Sequence, residues 1–197
     1  MLIKPKKSLG QNFLHDENII NKIINASKIS PDDKVLEVGP GTGNLTKLII
    51  SQKPKKIYVI EKDKSLAAKL EKQYYNKINI INEDILKITN EFYSGKKFLI
   101  LGNLPYNIST KILSNWCLNN KLNVSKMILM FQKEVAERIL ANANSKEYSR
   151  ITILSKWKFD IRKITDVKPN SFFPKPKINS SVLEFIPKTK IHKIKDP

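Results

Sequence analysis

Short apolar runs alternate with stretches of helical periodicity along most of the chain, and this alternation limits the possible folds more than any other feature. Val35–Val38, Ile57–Ile60, Ile78–Ile81, Phe98–Leu101 and Lys126–Gln132 read as strands. Asn44–Ser51, Ser65–Tyr74 and Ile108–Leu118 read as the helices between them. Glu17–Lys28 precedes the series as a helix, and Glu134–Ala141 and Ile151–Trp157 follow it. Strands alternating with helices predict a mostly parallel sheet covered on both faces. Phe159–Val167 and Ser181–Phe185 are joined by the proline-rich Lys168–Lys177 without a helix, which predicts an antiparallel hairpin at one edge. The expectation is an α/β fold with a seven-stranded sheet in one domain over residues 1–187. Residues 1–15 form an N-terminal arm, and 188–197 a basic tail or the start of a further domain.

The ends of the strands carry the polar chemistry. Glu37-Val38-Gly39-Pro40-Gly41-Thr42-Gly43 turns from the first sheet strand into its helix. The crevice at a sheet's carboxyl end is where such folds bind ligands, and glycines at Gly39 and Gly41 let a ligand approach the backbone. The spacing is not the G-x-G-x-x-G of dinucleotide folds. The next strand ends at Glu61, where a carboxylate can accept both ribose hydroxyl protons; the alternative is a solvated acid in a charged run. The third ends at Asp84, followed by Ile85. Asp84 can accept from an adenine amine while Ile85 packs on the ring, or it can cap a helix. Together these residues fit an adenosine-containing ligand without separating S-adenosylmethionine from a nicotinamide cofactor.

The fourth strand decides the chemistry. Asn103-Leu104-Pro105-Tyr106 follows it. The lone pair of adenine's exocyclic amine is delocalised into the ring. Two acceptors on its hydrogens, the Asn103 side-chain oxygen and the Leu104 carbonyl, can localise that pair for attack on a sulfonium methyl. Such attack depends on positioning more than on a strong base. Tyr106 can stack on the purine, and the base must be unstacked or flipped to arrive there. Ser171–Lys177 holds two phenylalanines and two lysines in a proline-stiffened loop. Phe172 is expected in the base clamp and Phe173 packed, with Lys175 or Lys177 on phosphates.

Lys and Arg number 36 against 18 Asp and Glu, a net charge of +18. Such a chain binds polyanions, nucleic acid before a membrane surface. The single cysteine, Cys117, excludes an internal disulfide and reads as a small core residue. His15 and His192 are far apart, and no Cys/His set has zinc-ligand spacing, so no metal is expected. No secretory leader or membrane-length apolar run is seen, which points to the cytoplasm.

These blocks resemble the ribosomal RNA adenine N6-dimethyltransferases of KsgA type. The likeness runs from Ser8 to about Pro187 through Gly10–Leu14, Glu37–Thr46, Val59–Glu61, Glu83-Asp84, Asn103–Ser109, Gln132–Ile139 and Phe172–Ser180. It implies a Rossmann-like class I methyltransferase that uses S-adenosylmethionine. By resemblance, Asn12, Leu14, Gly39, Glu61, Asp84 and Asn103 contact the cofactor, and Asn103, Leu104, Tyr106 and Phe172 hold the adenine. It further implies a monomer that dimethylates two adjacent adenosines near the 3′ end of small-subunit RNA, in the immature small ribosomal subunit. Family members continue into a small helical C-terminal domain; most of it is expected to be missing here, with ribosome recognition weakened and cofactor binding kept. Three readings compete: the large-subunit, macrolide-resistance branch, a non-catalytic RNA-binding assembly factor, and an NAD oxidoreductase. The Leu of Asn103–Tyr106 and Gly10 before Gln11 lean towards the small-subunit branch.

Overall fold

The computed structural model describes residues 5–190; residues 1–4 of the expected arm and 191–197 of the expected tail, His192 among them, lie outside it. In chain order the elements are β1 (Phe13–Leu14), α1 (Glu17–Ser27), β2 (Lys34–Val38), α2 (Asn44–Ser51), β3 (Lys56–Ile60), α3 (Lys64–Gln73), β4 (Asn79–Ile81), α4 (Asn90–Tyr93) and β5 (Lys97–Asn103). They continue with α5 (Ser109–Leu118), β6 (Asn123–Gln132), α6 (Lys133–Leu140), α7 (Arg150–Lys158), β7 (Phe159–Val167), β8 (Phe172–Phe173) and β9 (Ser180–Pro187). No helix among the described residues is long and apolar enough to cross a membrane.

Seven strands form one sheet in the order β4-β3-β2-β5-β6-β9-β7. The first five pair in parallel, and β9 runs antiparallel to both its neighbours. The expected hairpin is present, with β9 inserted beside β6 and β7 left at the edge. Side chains alternate across the sheet and divide between two cores. Leu36, Val38, Phe98, Ile100, Leu129 and Phe185 face the layer that holds α5. Val35, Leu99, Leu101, Ile128, Met130 and Val182 face α1 and α2.

Local chemistry starts the helices. The Asp16 carboxylate accepts from Asn18 N at 3.0 Å and Ile19 N at 3.3 Å, capping α1. Ile19, Ile20, Ile23 and Ile24 then cover the sheet. Cys117 is buried, and burial pushes its thiol up to about 12, so it is an inert core residue as its pattern implies. The sequence pattern missed α4, whose four residues are too few for a period. Its Phe92 and Tyr93 join Tyr58 and Phe98 in an aromatic cluster with centroids 5.1–6.4 Å apart.

The sequence also missed β1 and β8, which form a separate two-stranded ribbon pairing Phe13 with Phe173 and Leu14 with Phe172. This ribbon corrects one expectation. Phe172 is 3% exposed and packs with Leu14 and Val182 in the α1/α2 core, whereas Phe173 is 60% exposed. The reason is register: adjacent strand residues point to opposite faces. His15 N donates to Ser171 O at 3.0 Å and the Ser171 hydroxyl to Asp16 at 2.7 Å, which fixes the face that Phe172 presents. Phe172→Ala should therefore cost about 3–5 kcal/mol of stability, and Phe173→Ala no more than about 0.5 kcal/mol. Chemical denaturation of the two variants would measure both, and equal losses would contradict this packing.

Candidate active site

The site begins with strand register. Val38 of β2 pairs with Ile60 of β3 on one side and Gly102 of β5 on the other. Gly39, Glu61 and Asn103 therefore stand abreast at the sheet's carboxyl end. Gly39 has φ +71°, and a Cβ there would sit 3.1 Å from the Asn103 carbonyl oxygen. Glycine is needed both for the left-handed backbone and for that close approach.

Two acids stand beyond the glycine turn. Glu61 is 7% exposed and accepts from Gly41 N at 3.3 Å and Asp63 N at 2.8 Å. Burial raises its pKa, and those N–H donors partly offset the rise. Asp84 accepts from Leu86 N at 2.9 Å, capping the short turn Ile85–Lys87, and from Lys62 Nζ at 2.9 Å. The capping role exists, and Asp84 still lines the cavity. Burial alone would raise its pKa, but the Lys62 and Leu86 bonds outweigh burial and hold it low.

The N-terminal arm covers this edge, held by contacts the sequence pattern did not reveal. Asp63 is 3% exposed and accepts from Lys6 Nζ at 3.0 Å and Gln11 Nε2 at 3.0 Å. It also caps α3 through Ser65 N at 2.9 Å. Against the cost of burial, these donors hold its carboxyl well below the usual range. Further along, Asn44 Nδ2 donates to Leu14 O at 2.8 Å. The Phe13 ring lies against the glycine turn, 2.7 Å from where a Cβ of Gly41 would be. Phe13, to which the sequence reading gave no role, is the aromatic that closes on this loop.

Asn103–Tyr106 forms the opposite wall. Asn103 Nδ2 donates to Asn12 O at 2.9 Å. Leu104 is buried and lines the cavity. Tyr106 shares a 2.6 Å hydrogen bond with the Ser180 hydroxyl from the start of β9, and burial raises the phenol's pKa. Ser180 fell within a resemblance block, but nothing in its pattern signalled this bond.

Glu37 was quoted as part of the glycine motif and given no role. It is 1% exposed, lines the same cavity, and neither carboxyl oxygen has a hydrogen-bond partner among the described residues. Burial pushes its pKa up to about 8; the nearby Thr46 hydroxyl opposes the rise and the Glu61 charge adds to it. The cavity is lined by Asn12, Leu14, Gly39, Gly41, Glu61, Asp84, Ile85, Asn103, Leu104 and Tyr106, all singled out from the sequence. Phe172 is outside it. The lining suits an adenosine bearing a cationic tail: a glycine cradle, acids at adjoining strand ends, and an orphaned buried carboxyl.

The family described as ribosomal RNA adenine dimethylase matches residues 3–196. The ribosomal RNA small subunit methyltransferase A of Pelagibacter ubique (strain HTCC1062) is 52% identical over 199 residues, covering 100% of this chain and 76% of that protein. A dimethyladenosine transferase from Plasmodium falciparum superposes with a TM-score of 0.79 at 35% identity, over 89% of this chain and 63% of that one. The 23S rRNA methyltransferase ErmE gives 0.76 at 26% identity, over 91% and 71%. The chain thus spans roughly two thirds to three quarters of its relatives' length.

The arm's anchoring has a direct test. Asp63→Ala removes the acceptor of both Lys6 and Gln11, and charged hydrogen bonds are worth about 1.5–3 kcal/mol each. Limited proteolysis should then cut within the first 15 residues, with affinity for S-adenosylhomocysteine about tenfold weaker in calorimetry. An arm as resistant as in the parent chain would show that Asp63 does not hold it.

Proposed function

Since the chain belongs to the ribosomal RNA adenine dimethylase family, we propose that it transfers methyl groups from S-adenosylmethionine to N6 of adenosines in ribosomal RNA. The small subunit is the target, and two adjacent adenosines in a loop near the 3′ end of its RNA receive the methyls. In this reading residues 1–187 are the catalytic domain. It acts as a monomer in the cytoplasm, on the immature small subunit and away from membranes.

One observation carries the chemistry. Asn12 O requires a donor, so the Asn103 amide nitrogen faces it at 2.9 Å. The amide's oxygen is then the atom left for a substrate. An adenine amine set between that oxygen and the Leu104 carbonyl meets two acceptors and no competing donor. Its two N–H bonds are drawn to them, and the nitrogen lone pair is freed from the ring towards the cofactor side. Tyr106 is tethered through its hydroxyl to Ser180, so its ring is fixed to stack on the purine.

Gly39 and Gly41 cradle the cofactor, Glu61 takes the ribose hydroxyls, and Asp84 with Ile85 takes the adenine. Asn12 and Leu14 hold it from the arm. When bound, S-adenosylmethionine supplies an electrophilic methyl carbon on a sulfonium. The chain's work is alignment, which can supply about 7–11 kcal/mol of a barrier. The methylated ammonium is strongly acidic and loses its proton to water without a dedicated base. The net charge of +18 gives RNA affinity from phosphate neutralisation.

Tritium transfer from labelled S-adenosylmethionine to immature small and to large subunits tests the reading. Label in adjacent adenosines of small-subunit RNA is the expected result. Label in large-subunit RNA would overturn the target. Asn103→Ala should lower turnover more than about a thousandfold. Losing one anchor of the arm should weaken cofactor binding only about tenfold. A variant that keeps its turnover would remove Asn103 from the reaction.

A further inference from the structure

Glu37 is a buried acid with no cation beside it among the described residues. It is the penultimate residue of β2, flanked in the sheet by Val59 of β3 and Leu101 of β5, both wholly buried. Three polar groups face it: Thr46 on α2, Glu61 beyond β3, and Tyr74 at the end of α3. Asp63 adds negative charge through its contact with Glu61. No Lys, Arg or His among the described residues pairs with Glu37. An isolated carboxylate in such a place is strongly disfavoured. Glutamine would fill the same volume without the liability, so an ionisable group here has a use beyond packing.

The cavity points to that use. Resting on the cofactor reading above, we propose that Glu37 is a proton-exchanging receptor for the positive charge of S-adenosylmethionine. Before the ligand binds the carboxyl is neutral; when the ligand's cationic centre arrives, the carboxyl O–H breaks, the proton passes to water, and the carboxylate remains opposite the cation. No electrons are transferred, and the only species released is the proton. The pKa of about 8 agrees with a group protonated at neutral pH until a cation enters. Cofactor and proton thus compete, and affinity rises with pH up to about 8.

Calorimetry at pH 7 in two buffers of different ionisation enthalpy counts the protons exchanged. The ligands are S-adenosylmethionine, S-adenosylhomocysteine and 5′-methylthioadenosine, which share the nucleoside. The last has neither amino acid nor positive charge. Any response of Glu61 to the ribose is common to all three and cancels in the difference. The ligand's own amine titrates near pH 8 but contributes equally to parent and Glu37→Gln protein.

S-adenosylmethionine should release close to one proton more than methylthioadenosine, and its Kd should fall roughly tenfold from pH 6 to 7. Glu37→Gln should abolish both effects and leave methylthioadenosine affinity within about twofold. Release by S-adenosylmethionine alone identifies the sulfonium as the partner charge; release by S-adenosylhomocysteine as well identifies the ammonium. Equal proton counts for all three ligands, a result that needs no variant, would overturn the inference. So would an undiminished release in Glu37→Gln. If none of the three binds, the cofactor reading itself falls, and this inference with it.

Discussion

The parallel register of β3, β2 and β5 is the constraint on which the site depends. One residue position, Val38, fixes Ile60 and Gly102 beside it. The next residue of each strand is then a glycine, an acid and an amide, standing side by side. A slip of one residue in either pairing would turn every side chain of that strand to the other face. It would put Phe98 and Ile100 where Leu99 and Leu101 lie between α1 and α2, so the cores enforce the register. The apolar packing that makes the fold stable is also what aligns the polar groups of the cavity.

The chain's basicity divides between structure and surface. Lys158 Nζ reaches the carbonyls of Trp116, Cys117 and Asn119 at 3.1–3.3 Å, at the end of α5. Lys156 does the same for Leu140 and Ala141 after α6, at 2.9 and 2.6 Å. Lys188 donates to Lys156 O at 2.6 Å, in the last turn of α7. A cation at a helix C-terminus satisfies orphan carbonyls and complements the dipole. Glu184 is buried between Lys126 and Arg162. These lysines are not free to meet phosphates, so the RNA-facing charge is smaller than the composition implies. What remains outward includes Lys175 and Lys177, which follow the exposed Phe173 on the loop leading to Ser180.

Most of the sheet, and the part of the cavity lining made by Gly39, Gly41, Glu61, Asp84, Ile85, Asn103, Leu104 and Tyr106, was legible because it obeys local rules; Asn12 and Leu14 came from the family resemblance alone. Strand periods, the glycine turn and strand-end acids are written over a few consecutive residues. Phe159–Val167 was read with its exact bounds, and Asn44–Ser51 likewise. What escaped is long-range. Phe13 and Phe172 are 159 positions apart in sequence, and only their shared ribbon decides which of Phe172 and Phe173 faces inward. Asp63 looked like one charge in a run, because its partners Lys6 and Gln11 lie more than 50 residues away. Glu37 looked like an ordinary strand residue, because its isolation is a property of what surrounds it.

In the proposed mechanism Asn103 makes the arm and the substrate wall one device. A side-chain amide has two chemically opposite ends. Left free it could rotate, and half the time it would offer an NH2 group to an incoming amine, donor against donor. The Asn12 carbonyl removes that choice by demanding the nitrogen. Asn12 is in turn set by the arm, which Asp63 and Asn44 hold down. Order in the arm and the correct polarity of the acceptor are therefore the same event. An aspartate at 103 would offer oxygens to both sides and lose the bond to Asn12, leaving a carboxylate facing a carbonyl. In the proposed mechanism the asparagine is required for its asymmetry as much as for its oxygen, and the arm is what makes that asymmetry count.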